Sequence, residues 1–247
     1  MRQVPIKSKT PYLIIGNGKL SKHLTHYFQL LDINFLTWSR QSLENLTNLI
    51  SLSNKIIILI NDVEIEKFIS KYRAGFEEKI WIHCSGSLTI PFAIGVHPLM
   101  TFTDELYDIE TYKQIPFVTE KGKKKFNQLF PELSNPAFQI KSELKPFYHA
   151  WCVMSGNFTT IIWQNFFEVL ELRFGINRKN AFPYLKAITR NLLLNKSSLT
   201  GPLQRNDKKV IEKNMLALKN EPFADVYNSF VKSYKKSKRI LVNNEKC

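Results

Sequence analysis

The sequence predicts an α/β domain with a mainly parallel sheet, followed by an all-α domain. Three observations support this. Over roughly the first 140 residues, short apolar runs alternate with amphipathic stretches, the pattern of βαβ units. A glycine-containing turn, Gly16-Asn17-Gly18, links the first apolar run to the first amphipathic one. Beyond residue 141 the strand pattern stops and long helical stretches take over.

The elements follow in order. Tyr12–Ile15 reads as a strand, Leu20–Leu31 as a helix, Ile33–Trp38 as a second strand and Leu43–Leu52 as a short helix. Lys55–Ile60 is too continuously apolar to be half-exposed, so it is expected to be a central strand. Val63–Tyr72 is amphipathic, Lys79–His83 and Ile115–Val118 read as strands, and Gly122–Leu129 as a basic surface helix. From Phe147 to Phe174 the chain is apolar all round and free of proline. His149, Asn157, Gln164, Asn165 and Glu168 interrupt it, which suits a long helix buried by other helices or by a second subunit better than a membrane span. Asn180–Leu194, Asp207–Asn220 and Ala224–Val242 are further helices. The expected domains are residues 1–140 and 141–247.

The chain has 247 residues, of which 44% are hydrophobic and 23% charged, near globular averages. This argues against disorder, collagen and coiled coil. Cys84, Cys152 and Cys247 are too scattered for a zinc site and cannot form a disulfide framework. No metal is expected. The N-terminal run lacks a signal-peptide core, so a cytoplasmic protein without membrane segments is expected. The net charge of +14 is uneven: residues 1–140 carry 16 Lys and Arg against 13 Asp and Glu, and residues 141–247 carry 19 against 8. That excess suits a solvated lysine-rich surface or attraction of small anions. No nucleic-acid-binding fingerprint accompanies it, and neither G-x-S-x-G nor a P-loop occurs.

Gly16-Asn17-Gly18-Lys19-Leu20-Ser21 follows a strand and opens a helix, the context that a Rossmann dinucleotide fingerprint requires. Gly16 permits the tight turn, Gly18 lets a pyrophosphate approach the backbone, and the helix N-terminus favours the anion. Asn17, Lys19 and Leu20 complete the loop. Ser21 stands in the third position, where it is small enough for close helix packing. The second strand ends in Ser39-Arg40, where an NAD site would place Asp or Glu. A hydroxyl and a guanidinium suit a 2′-phosphate, so NADP is the expected cofactor.

Further segments add to one resemblance. They are His83-Cys84-Ser85-Gly86, His97-Pro98-Leu99-Met100-Thr101-Phe102, Tyr148-His149-Ala150, and Leu199-Thr200-Gly201-Pro202-Leu203-Gln204-Arg205-Asn206-Asp207. In that order, over residues 12 to 220, the chain resembles bacterial Rossmann-like proteins with a C-terminal helical domain of formerly unknown function. That group is similar to the 6-phosphogluconate dehydrogenase-like superfamily, with its ketopantoate and pyrroline-carboxylate reductases. Asn206 stands where the family usually has glycine. The resemblance implies an NADP-dependent oxidoreductase acting on a small anionic substrate. Ketopantoate (2-dehydropantoate) reduction in pantothenate biosynthesis is the first expectation. A pyrroline-carboxylate-type imine reductase is the alternative within enzymes, and a non-catalytic nucleotide sensor or scaffold is the alternative outside them. The helical domain is expected to form a homodimer.

Reduction of a keto acid needs a proton donor or hydrogen-bond donor for the developing alkoxide and a partner for the carboxylate. His149 and Asn157 are candidates on the long helix, about 80° apart in azimuth and ~12 Å apart along the axis. A bend at Gly156 would bring them nearer. Related reductases pair a Lys with an Asn four residues apart on this helix, a spacing that is not present here. Lys145 is thus a second candidate acid. Ser85 and Gly86 are candidates for the cofactor, and Ser87, His97, Thr200 and Arg205 for the substrate.

Overall fold

The structure is a computed structural model that describes residues 10–194 and 199–244, with side chains to residue 237. The stretch 1–9 and Cys247 lie outside the described residues. The chain divides into two compact units, Met1–Gln164 and Asn165–Cys247.

The first unit is a seven-stranded sheet with helices on both faces. The strands are β1 (Tyr12–Ile15), β2 (Phe35–Trp38), β3 (Lys55–Ile58), β4 (Ile80–His83), β5 (Ile94–Pro98), β6 (Phe117–Glu120) and β7 (Ala137–Ile140). Their spatial order is β2-β1-β3-β4-β5-β6-β7. All neighbours are parallel except β5 and β6. Helices α1 (Lys19–Leu30), α2 (Leu46–Ser51), α3 (Asp62–Arg73), α4 (Ile109–Gln114) and α5 (Phe126–Leu129) connect them.

Alternation along β1 shows how both faces are used. Tyr12 and Ile14 pack into one core with Leu24 and Phe28 of α1, Tyr112 of α4 and Leu129 of α5. Leu13 and Ile15 pack into the other with Ile50 of α2 and Ile65 and Ile69 of α3. A strand buried on both faces must be apolar throughout, which is why β1 and β3 are legible as continuous runs.

Two strands escape the sequence reading. In β5, Gly95 and Pro98 dilute the apolar pattern. In β7, three of the four residues are exposed at the sheet edge. The expected helix at Gly122–Leu129 shrinks to Phe126–Leu129. Gly122 has a φ of 88°, and Lys123 turns inward instead of joining a surface helix.

The expected long helix is present from Lys145 to Phe174, but not as uniform α. Helix α6 (Lys145–Val153) leads through a π-helical turn, Met154–Phe158, into α7 (Thr159–Phe174). The carbonyl of Gly156 takes a hydrogen bond from the Thr160 hydroxyl at 2.9 Å.

The second unit contains the end of α7, then α8 (Phe182–Leu194), α9 (Pro202–Arg205), α10 (Lys208–Ala217) and α11 (Ala224–Asn244). Asn206 follows α9 with φ 55° and ψ 39°, the left-handed conformation that asparagine tolerates in place of glycine. The Asp207 carboxylate then accepts the Val210 amide and caps α10. Arg173 pairs in bidentate fashion with Glu221 at 2.6 and 2.8 Å. Among the described residues of this unit, only Ala181, Ile211 and Val231 are buried hydrophobics. No helix of the described residues is long and apolar enough to cross a membrane.

Candidate functional site

The strand order reverses between β1 and β3, and a ligand crevice forms at such a switch point. Here the crevice opens into a cleft of about 1040 Å³. Its floor is the turn after β1. Gly16 has φ 127°, and a Cβ there would lie 2.1 Å from the carbonyl oxygen of Leu59, just after β3. Only glycine fits. Gly18 caps α1 without a side chain, and a Cβ there would meet nothing within 4 Å. The first amides of α1 have no acceptor within the helix, so they face open space ready for an anion. Ser21 is buried, and its hydroxyl donates to the Gly16 carbonyl at 2.8 Å, which ties the helix to the turn.

One wall of the cleft is the turn after β2. Ser39 and Arg40 line it, and Asn17 donates to Gln41 across the cleft mouth at 3.0 Å. Helix α3 forms another wall. Toward β4 the cleft reaches Cys84 and Ser85. The Ser85 hydroxyl donates to Asp62 at 2.5 Å and accepts the Leu88 amide at 3.2 Å, so it is occupied by the protein. Burial pushes the Cys84 thiol up to about 12, which makes it a poor nucleophile.

Beside this cleft lies a cluster that long-range packing assembles. A Cβ on Gly86 would lie 2.3 Å from Cδ2 of His149 and 3.0 Å from Cδ2 of His97. The two imidazoles stand nearly perpendicular, with centroids 5.7 Å apart. A hydrogen bond of 2.9 Å joins Nδ1 of His97 to the Tyr148 hydroxyl. Burial, then the proximity of His149 and Lys145, lowers the His97 pKa to about 4. His97 is therefore neutral at neutral pH.

Lys145 opens α6 and is buried. Its Nζ lies 3.3 Å from Glu120 Oε1, and a Cβ on Gly95 would lie 2.1 Å from it. Glu120 is fully buried; its other oxygen meets Lys123 at 2.9 Å and accepts the Gly95 amide at 3.3 Å. Burial would raise the Glu120 pKa, but the two lysines and the amide outweigh it and hold the carboxyl below its usual range. Burial lowers the Lys145 pKa against the pull of Glu120. His83, buried with both ring nitrogens unpaired, is lowered by burial and by Lys145 to about 4.

The structure thus brings Gly16, Asn17, Gly18, Lys19, Leu20, Ser39, Arg40 and Ser85 to one cleft. It brings Gly86, His97 and His149 to one cluster. Ser87 is part-buried in the turn beyond Gly86. Lys145 is enclosed with Glu120 rather than open to a ligand. Asn157 is exposed on the π turn. Thr200 and Arg205, both exposed, belong to the second unit. Sequence reasoning missed Tyr148, Glu120 and Lys123. Tyr148 stands within the Tyr148-His149-Ala150 motif, but its partner is 51 residues away. No group of His, Cys, Asp or Glu side chains among the described residues is arranged to hold a metal.

Sheet order, glycine turn and crevice define a Rossmann-type domain carrying a helical C-terminal region. The comparisons agree at the level of fold. Residues 117–234 match a family model described as a domain of unknown function (DUF2520). A protein of Bacteroides fragilis, provisionally assigned as an NADP oxidoreductase, superposes with a TM-score of 0.74 at 20% identity, over 92% of this chain and 98% of its own. A protein of Thermotoga maritima gives 0.67 at 21%, over 92% and 99%. The pyrroline carboxylate reductase of Plasmodium falciparum, solved with NADP bound, gives 0.60 at 13%, over 94% and 98%. No curated protein matches the sequence.

Two predictions follow from the buried groups. His83 and His97 both fall to about 4 in the folded protein, below the unfolded value of about 6.5. As pH drops through that window the unfolded chain takes up protons first, so stability is full above about 6.5 and declines toward 4. Urea midpoints measured from pH 7 to pH 4 should fall steadily; a flat profile down to pH 5 contradicts this. Gly86→Ala should overpack against His149 and cost about 1–3 kcal/mol. Adding His149→Ala should recover most of that loss, and strictly additive losses in a double-mutant cycle would refute the contact.

Proposed function

We propose that this protein is an NADPH-dependent oxidoreductase that reduces a small keto acid, with ketopantoate as the first substrate to try. The observation that carries the reading is the cleft at the β1–β3 switch point, with its glycine floor, open helix N-terminus, and Ser39 and Arg40 on one wall. Residues 1–140 act as the cofactor domain and residues 141–247 as the helical domain. The turn Gly16–Gly18 and the first amides of α1 hold the pyrophosphate. Ser39 and Arg40 hold a 2′-phosphate, a group that a carboxylate in their place would repel. Bound there, NADPH supplies a hydride to the substrate carbon.

The chain's own groups supply the rest. His149, packed on Gly86, gives a proton to the developing alkoxide. His97, held neutral and fixed by Tyr148, serves as a hydrogen-bonding group rather than as an acid. Lys145 lies behind the cluster in an ion pair with Glu120, and that enclosure leaves His149 as the better-placed proton donor. Asn157 is retained as a carbonyl-polarising candidate on the same helix. The imine reductase alternative uses the same cleft and differs in substrate, because an iminium needs no proton from the protein on reduction.

The test is loss of nicotinamide absorbance on mixing NADPH with a panel of keto acids and cyclic imines. NADPH should bind more tightly than NADH, and Arg40→Ala should cost about 1.5–3 kcal/mol of NADPH binding alone. His149→Gln should lower kcat with keto acids about 10²–10⁴-fold while leaving NADPH binding intact. Equal affinity for both cofactors in the wild type would sink the cofactor reading, and full activity of the His149 variant would sink the acid assignment. NADPH binding without any turnover would favour the sensor.

We also propose a homodimer built through the helical region. Trp151 is 55% exposed, Leu172 84% and Leu193 81%, too much aromatic and aliphatic surface for a lone chain. Sedimentation at micromolar concentration should show twice the chain mass; a monomer contradicts the proposal.

A further inference from the structure

Helix α3 follows β3 at the switch point and lines the same cleft as Ser39 and Arg40. Its buried stripe is Ile65 and Ile69, which seat it on the sheet. At helical spacing, Tyr72 and then Phe68 continue that stripe on one side, with Lys71 further round and Lys67 on the face opposite the stripe. All four line the cleft. The rings thus make its inner surface and the ammonium groups its rim. Phe68 lies 6.3 Å from Trp38 and 4.8 Å from Tyr72, ring centre to ring centre, a continuous aromatic surface across the two walls. Nζ of Lys71 sits 4.9 Å from the centre of the Tyr72 ring, which holds the charge at the cleft instead of letting it sweep through solvent.

The charges along the cleft are unevenly committed. Lys19, near the pyrophosphate turn, is already paired with Asp104 at 3.4 Å. Asp62 accepts the Ser85 hydroxyl near β4. At the other end stand Arg40, Lys67 and Lys71 against the single carboxylate of Glu64. Among the described residues none of these three cations is in an ion pair. Unpaired like charges that line one cleft gain most from a multivalent anion among them.

We propose that Lys67 and Lys71 form, with Arg40, a three-cation clamp for the 2′-phosphate of a bound dinucleotide, with the base lying on the aromatic surface between the walls. This rests on the NADP reading above and extends it: discrimination between phosphorylated and unphosphorylated ribose comes from both walls of the crevice, not only from the turn after β2. A charge of nearly −2 on the phosphate is matched by ligands that arrive from two separate elements.

The full chain is titrated with 2′,5′-ADP, 5′-AMP, NADPH and NADH by calorimetry, as wild type, Lys67→Gln/Lys71→Gln and Arg40→Ala. Thermal melts confirm that each variant folds. The double-lysine variant should lose about tenfold or more in affinity for 2′,5′-ADP and NADPH, while 5′-AMP and NADH stay within about twofold. The wild-type preference should also weaken with salt more steeply than that of the double variant. Unchanged 2′,5′-ADP binding in the lysine variant, with loss in Arg40→Ala, overturns the clamp and leaves the NADP reading standing. Equal loss of all four ligands also overturns it, because the lysines then serve the base or the fold. A wild type that binds NADH as tightly as NADPH removes both the clamp and the reading beneath it.

Discussion

The buried carboxylate of Glu120 is the interaction on which the candidate site's geometry hangs. It lies at the end of β6, fully removed from water, and gathers three cationic or amide donors from different parts of the chain. A lone buried carboxylate is costly; one held by two ammonium groups and an amide is not. Each bond fixes a different piece. The Gly95 amide joins β5, Lys123 joins the turn whose side chain also donates to the carbonyls of Ile90 and Ala93, and Lys145 joins the start of α6. With Lys145 pinned, His149 arrives one turn later against Gly86. The candidate acid is therefore aimed by a charge cluster that never touches the cleft.

The crevice has a different logic. Its shape comes from backbone, since the close approach of Gly16 to Leu59 leaves no room for a side chain. Its chemistry comes from surface residues after β2 and on α3, which the sheet order brings to one cleft. Backbone shape and surface charge are separable, so substitutions on the rim can alter ligand choice without disturbing the core beneath.

How much could be read from the sequence follows from the range of the interactions. The first turn and its helix are local, and the glycines, Ser21 and the neighbouring strand announce themselves within ten residues. The helices of the second unit are legible from periodicity. Strand β5 is not, because Gly95 is required by the Lys145 ammonium and Pro98 closes the strand, and both look like loop residues. Lys145 reads as a free acid and Lys123 as a surface charge until Glu120, 25 and three residues away, is seen between them. A single glutamate at a strand end carries no sequence signal that it will be fully buried. Lys67 and Lys71 look like the solvated face of an ordinary amphipathic helix until they are seen to line the same cleft as Ser39 and Arg40.

The π-helical turn at Met154–Phe158 confers a tolerance of another kind. It holds one residue more than an α-helical turn would, and the widened turn absorbs that residue, so the side chains on either side keep the angular relation of a plain helix. Removing one residue here would close the turn to plain α-helix and leave Trp151 and Ile162 in their present angular relation. Removing one from the regular turns before or after it would rotate everything beyond by roughly 100°. A change of length is taken up at this turn, whereas elsewhere along the helix it is passed on.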